Sequence, residues 1–200
     1  MASKKPYHKE DLRGDLLAAA RGWVAAHGHL GLSMRTLAQQ VGVSPGAPYH
    51  HFPDRRALLL AVASEGFAEM LSLSRVAVAA TGDPVARLRE LGRVFVAFAA
   101  ANPHLVDLMY ESELTTPAID PLLLDYQLGA HEMLSGAVVA ACPDIDGAEA
   151  GLRSIAYWSA IYGFASMVRK GVIRSSRVLP SAEKLGDAVV ERALRSAIGA

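Results

Sequence analysis

Apolar residues return along this chain at helical spacing and hardly ever in alternation. Between Lys9 and Ala26, Leu12, Leu16, Ala19, Ala20, Trp23 and Val24 fall on one face of a helix and mark a buried stripe. Gly28 and Gly31 end that helix and let the chain turn. Ser33 fits as the N-cap of a second, short helix with Leu37, Ala38 and Val41 inward, stopping near Gly42. Ser44 caps again, and Pro45 takes the first helical position, where a missing N–H costs nothing. Pro48 forfeits about one backbone bond in the first turn, so a short third helix is still allowed. Longer helices are expected over 54–79, 84–100, 103–111, 118–141, 146–171 and 181–197. They are separated at Gly82 to Pro84, Asn102 and Pro103, Pro117, Pro143 to Gly147, and Pro180. No stretch alternates for long enough to predict a strand, so the fold class is all-α.

Composition agrees. The 200 residues are 52% hydrophobic but 6% aromatic, and the Ala and Leu that dominate favour helix. That length holds one large or two small domains. No uninterrupted apolar run reaches the roughly 18 to 20 residues that span a bilayer. The opening MASKKPYHKEDLRGD is charged and lacks the apolar core of a secretion signal. A soluble, cytoplasmic protein with no membrane partner is expected. The single Cys142 can form neither an internal disulfide nor a four-thiolate metal site.

The net charge is zero, yet it is unevenly spread. Residues 1 to 56 hold eight Lys and Arg against four Asp and Glu, and five of the seven histidines. A basic end joined to an acidic body suits a polyanion-binding head, although an excess of four charges is small enough to arise by chance.

Three helices, of which the second and third are short and joined through a glycine-containing turn, make a helix-turn-helix. In SMRTLAQQVGVSPGAPYHHF, Val43, Ala47 and Phe52 hold the third helix against the second. Pro45, Gly46, Tyr49, His50 and His51 then face outward. Such a helix lies in the DNA major groove with its first residues near base edges. Tyr49 and Phe52 can also be read as plain core aromatics, and for Phe52 that is the stronger reading. His50 and His51 point about 100° apart on a helix and make a poor chelate.

The first 60 residues resemble the DNA-binding domain of the TetR family of transcriptional repressors. The resemblance is carried by TLAQQVGVS and by Tyr49, His51, Phe52, Arg55 and Leu58 in PYHHFPDRRALL. The opening PYHKEDLR is similar to a subgroup whose chains begin near Tyr-His-His-Gly-Asp-Leu. The resemblance implies an N-terminal helix-turn-helix domain over 1–56 and a helical ligand-binding and dimerisation domain over 57–200. It implies that Ser33, Arg35 and Thr36 face phosphates, as do Tyr49, His51 and Arg55. Ser44, Pro45, Gly46 and His50 match positions near base edges, and Lys4 and Lys5 match a basic arm near the minor groove. The chain departs from the usual pattern in carrying no Arg, Lys, Asn or Gln on the outer face of the third helix, the residues that most often pair with base edges. Sparse base contacts and indirect readout are expected.

The same subgroup is similar over AYWSAIYGFASMVRKGVI, where a Trp, a His and a Gly are characteristic. Here Trp158, Tyr162 and Gly163 stand at those places, so the His position departs. By resemblance this helix and the last one pack against their copies in a homodimer. Gly163 either admits that close approach or relieves crowding within one subunit. The middle helices are expected to enclose a cavity for a small-molecule effector, lined by Phe95, Phe98, Leu105, Met109, Tyr110, Leu123, Tyr126, Met133, Trp158 and Tyr162. Ordinary core is the competing reading of each. Glu111 and Glu113 read either as partners of a cationic ligand or as a solvated loop. His104 with His131 lacks a third metal ligand, and a lone Cys142 is usually inert.

The function these features imply is a ligand-responsive regulator, most simply a repressor. It would bind a palindromic double-stranded operator as a homodimer and need no cofactor. No catalytic triad, phosphate-cradling glycine loop, metal quartet or carboxylate pair stands at a telling spacing, so no enzyme is indicated. A small helical ligand carrier or enzyme, and a helix-turn-helix used only for protein contacts, are the rival classes.

Overall fold

The structure is a computed structural model that describes residues 11–110, 120–173 and 181–199. Those residues form eight α-helices and one 3₁₀ helix, with no strand among them. The α-helices are α1 (Leu12–His27), α2 (Met34–Val41), α3 (Arg55–Ala79), α4 (Pro84–Ala101), α5 (Pro103–Tyr110), α6 (Pro121–Ala141), α7 (Gly147–Arg169) and α8 (Ala182–Ile198). Each expected long helix is present, with ends displaced by a residue or two where a cap decides them. Asp54 and Asp146, expected as the first residues of their helices, cap them instead: Asp54 Oδ1 accepts from Ala57 N at 2.7 Å and Asp146 Oδ1 from Glu149 N at 2.8 Å. Gly171, at φ 66°, stops α7. The expected starts at Lys9 and residue 118, and the end at Glu111, lie outside the described residues.

The third helix differs most from expectation. Its regular part is the 3₁₀ helix Ala47–His50, not an α-helix from Pro45. Two prolines explain this. Pro48 has no N–H to send back to Ser44, so the backbone closes with shorter loops instead. Ala47 N donates to Ser44 O at 3.0 Å, Tyr49 N to Gly46 O at 3.2 Å and His51 N to Pro48 O at 3.0 Å.

The chain divides into two compact units. One comprises the described residues within Met1–Gly66 and His104–Asp120, the other those within Phe67–Pro103 and Pro121–Ala200. α3 contributes residues to both units, and α5 belongs to the first. In the first unit Leu16, Ala20 and Val24 line the buried side of α1, with Leu37 and Ala38 of α2 and Phe52 beyond. Gly66 explains how α5 fits: a Cβ there would stand 2.7 Å from Met109 Sδ and 3.2 Å from Leu105 Cδ1. α3 is long and apolar enough, by length and composition, to cross a membrane, but most of that stretch is buried within the protein, as in a core helix.

In the second unit α7 and α8 pack against each other, and α4 packs against both. The Tyr157 phenol, buried on α7, donates to Leu88 O of α4 at 2.8 Å. A Cβ on Gly92 would come within 2.3 Å of that hydroxyl. Arg89 Nε reaches Glu191 of α8 at 2.6 Å, and Arg93 Nε reaches Asp187 at 3.1 Å.

The close approach at Gly92 gives a measurable coupling. Gly92→Ala is expected to cost about 1–3 kcal/mol by overpacking, and Tyr157→Phe about 1 kcal/mol. In denaturant unfolding the pair should cost less than the two separately, because removing the hydroxyl makes room for the methyl; additive costs would refute the contact. Burial pushes the Tyr157 phenol well above its usual range. Its folded value is therefore raised, so this contribution to stability is complete below about pH 10 and is lost as pH rises beyond it. Tyr157→Phe should remove that alkaline loss.

Candidate nucleic-acid interface

The interface is built by a tight sequence of caps. Ser33 is extended at φ −129° and ψ 147°, and its Oγ accepts from Thr36 N at 3.0 Å to open α2. The two hydroxyls, Ser33 Oγ and Thr36 Oγ1, also bond at 2.6 Å. Gly42 closes α2 in the left-handed region, φ 83° and ψ 29°, where its N–H reaches Ala38 O and Gln39 O. A side chain there would be strained, so the turn is made by the backbone itself.

Six residues then present one surface. Ser44, Pro45, Gly46, Tyr49, His50 and His51 are exposed, Tyr49 by 54%. Pro48 and Phe52 are buried beneath them and hold the segment down. The Arg13 guanidinium lies 5.2 Å from the centre of the Phe52 ring, which fastens α1 to the underside of the same segment. Tyr49 is thus a surface aromatic and Phe52 a core one. Arg35, exposed on α2, and Thr36, half-buried, flank the surface in sequence.

Arg55 is used differently from its neighbours in the expected set. Its side chain turns to the α1–α2 connection, where Nε donates to Leu32 O at 2.8 Å and Nη2 to Leu30 O at 3.3 Å and to His29 O. Those carbonyls lie in the glycine-flanked turn, and Gly28 sits there at φ 75°. A planar fork of five donors suits several convergent carbonyls, which an ammonium would serve poorly. Nothing near Arg55 in sequence signals this, because its partners lie 23 to 26 residues away. Pro48 as an anchor was likewise not evident, since proline is seldom a core residue. Lys4 and Lys5, the expected basic arm, lie outside the described residues.

The expected effector lining is spread over both units. In the second, Phe95, Trp158 and Tyr162 come together: Phe95 meets Trp158 edge-on at 4.6 Å between ring centres, and Trp158 and Tyr162 lie 5.7 Å apart. Phe98 and Leu123 are buried and Tyr126 and Met133 half-buried in the same unit. Leu105 and Met109, both buried, and Tyr110, half-buried, belong to the first unit. Glu111 and Glu113 lie outside the described residues. Among the described residues no group of three or more His, Cys, Asp and Glu could hold a metal ion.

A capped short helix, a glycine turn and a second exposed short helix on a three-helix support define a helix-turn-helix module. The sequence shows which kind. Residues 16–62 match the profile of bacterial regulatory proteins of the tetR family, and residues 88–195 match the tetracyclin repressor-like C-terminal domain. The chain belongs to the TetR family, whose members are transcriptional regulators and not enzymes. Over 58 residues it is 45% identical to the transcriptional repressor AcnR of Corynebacterium diphtheriae, which covers 29% of this chain and 30% of that one. It is 32% identical over 131 residues to the nucleoid occlusion factor SlmA of Vibrio vulnificus, covering 60% of this chain and 63% of that one. The chain thus spans about a third to two thirds of the curated relatives' length. A protein of unknown function from Rhodococcus sp. RHA1 has the same fold, with a TM-score of 0.81 at 29% identity over 96% of this chain and 98% of that one.

The role of Arg55 is open to test. Arg55→Lys should cost about 1 kcal/mol, since part-buried carbonyls of the turn lose their donors. Amide exchange in the turn between Gly28 and Leu32 should speed up in step. Unchanged exchange there would show that the guanidinium is not what holds the turn.

Proposed function

We propose that this chain is a ligand-responsive transcriptional repressor that binds a palindromic double-stranded operator as a homodimer in the cytoplasm and is released by a small apolar effector. The observation that carries this reading is the exposed segment from Ser44 to His51, held down by Pro48 and Phe52. Tyr49 and His51 would meet phosphates with Arg35 and Thr36 alongside, and Ser33 at the cap behind them. Ser44, Pro45, Gly46 and His50 would approach base edges. Arg55 would act mainly by fixing the turn behind this surface. With His50 as the strong hydrogen-bonding group near the bases, much of the specificity would come from DNA shape. The repressor AcnR of Corynebacterium diphtheriae matches this chain over 58 residues.

The homodimer is supported by the surface of α7. No exposed position of α7 from Ala148 to Met167 carries a charge. Leu152 is 65% exposed and Ile155 59%, and Ala156, Ser159, Ala160 and Met167 continue the stripe. A face this long and uncharged suits a partner more than water. A Cβ on Gly163 would meet nothing within 4 Å in its own chain. Crowding inside the subunit therefore does not require a glycine there, while close approach of a second α7 would use one. The aromatic cluster of Phe95, Trp158 and Tyr162, flanked by Phe98, Leu123, Tyr126 and Met133, would form the wall of the effector site. Trp158 and Gly163 favour the Trp-His-Gly subgroup, with Tyr162 as its departure. α3, whose residues divide between the two units, would carry the signal from effector to DNA.

Two measurements check this. Purified protein should retain DNA from upstream of its own coding region, with affinity falling as salt rises. Tyr49→Ala combined with His51→Ala should weaken retention at least about tenfold at unchanged helicity; undiminished retention would favour a ligand carrier or a protein-interaction module. Ala160→Glu should convert the dimer to a monomer in sedimentation, because an unpaired charge would be buried at the interface. A dimer that persists would mean the interface lies elsewhere.

A further inference from the structure

The exposed segment is short of charge. From Ser44 to His51 it carries no Lys or Arg. Cations that meet phosphates nevertheless supply a large share of a protein's affinity for duplex DNA. Arg55, the nearest arginine in the chain, gives Nε and Nη2 to the carbonyls of the α1–α2 turn. A cation stands against the segment from α1 instead. Arg13 is on the first turn of α1, and its guanidinium lies 5.2 Å from the centre of the ring of Phe52, the residue after His51. Arg13 is exposed, while Phe52 keeps only 3% of its surface. The guanidinium therefore covers the ring from the solvent side, at the edge of the segment.

A contact with a ring uses the charge of a guanidinium and satisfies none of its five N–H groups. Among the described residues, no carboxylate or carbonyl bonds to those of Arg13. Asp11 and Asp15 stand two places away on either side, a spacing that does not face along a helix. Asp11 gives its Oδ1 to Gly14 N at 2.9 Å as the cap of α1. By contrast Arg55, Arg87, Arg89, Arg93 and Arg153 all donate within the protein. Any exposed arginine can give its donors to water. Arg13 is set apart by the ring that holds it and by its place next to the residue that follows His51. The ring limits the motion of a long side chain before binding, so less freedom is lost when a partner arrives. The partner that suits such a guanidinium is a phosphate, met through two parallel N–H bonds.

We propose that Arg13 is a contact to the phosphate backbone of the operator, positioned by the Phe52 ring and reading no base. This rests on the reading of the segment from Ser44 to His51 as the DNA-binding surface. α1 supplies the charge, the exposed segment supplies the side chains that approach bases, and one buried ring sets the spacing between them. A segment with no cation of its own is thereby served by the helix that supports it.

The test uses the full-length protein and fluorescence anisotropy with two duplexes across a range of salt. One duplex comes from upstream of the protein's own coding region, the other has an unrelated sequence. Arg13→Gln should weaken binding to both by about tenfold or more. It should also lower the slope of log affinity against log salt by about 0.9 for each subunit bound. Arg13→Lys should restore the slope and part of the affinity. Arg195→Gln, exposed in the last turn of α8, should change neither. Helicity and the denaturation midpoint of Arg13→Gln should stay close to those of the wild type. Weaker binding at an unchanged salt slope, with a lowered midpoint, would overturn the proposal, because Arg13 would then only brace Phe52. Weakening confined to the upstream duplex would overturn it too, since a phosphate contact is blind to sequence. Wild-type protein that binds neither duplex would refute the function proposed above and this contact with it. Wild-type binding with an unaltered slope in Arg13→Gln would refute this contact alone.

Discussion

A chain made only of helices must answer the N–H groups that open each helix and the carbonyls that close it. Here six α-helices open on a residue whose side chain accepts from the first turn: Asp11, Ser33, Asp54, Asp83, Asp146 and Ser181. The other two, α5 and α6, open on Pro103 and Pro121, which have no N–H to satisfy. At the other ends Gly28, Gly42, Gly171 and Gly199 take positive φ. Where backbone turns cannot reach a carbonyl, an arginine does. Arg55 serves the turn after α1, and Arg153 Nη1 reaches Ala197 O near the end of α8 at 3.0 Å. The packing described above is possible because these ends are settled, most of them by residues next to them in the chain.

That same local character explains what could be read from the sequence. Ser33 and Gly42 were legible as the ends of α2, because a cap and its helix are neighbours in the chain. So was the outward set from Ser44 to His51, since period and punctuation fix which side chains face out. Asp54 and Asp146 stand one residue before α3 and α7 and not at their first helical position, a displacement that depends on where a side chain bonds. What escaped was non-local. The three carbonyls held by Arg55 lie more than twenty residues away, and the place of α5 beside Gly66 depends on Leu105 and Met109 some forty residues on. Gly92 beneath Tyr157 is of the same kind.

The expected effector lining was less legible than the exposed segment from Ser44 to His51. An aromatic residue at helical spacing looks the same whether it lines core or cavity, and the expected lining divides between two compact units. Gly163 can be read in two ways in the sequence, and the structure speaks to one of them: a Cβ there would meet nothing within 4 Å in its own chain.

The two prolines in the exposed segment have one more consequence. Its backbone path is set by Pro45, Pro48 and the buried Phe52, none of which depends on the identity of the side chains at Ser44, Tyr49 or His50. Support and display are therefore separate. The displayed side chains can be exchanged one at a time while the scaffold beneath them keeps its shape, so a lineage carrying this segment could acquire a new target without first having to refold it.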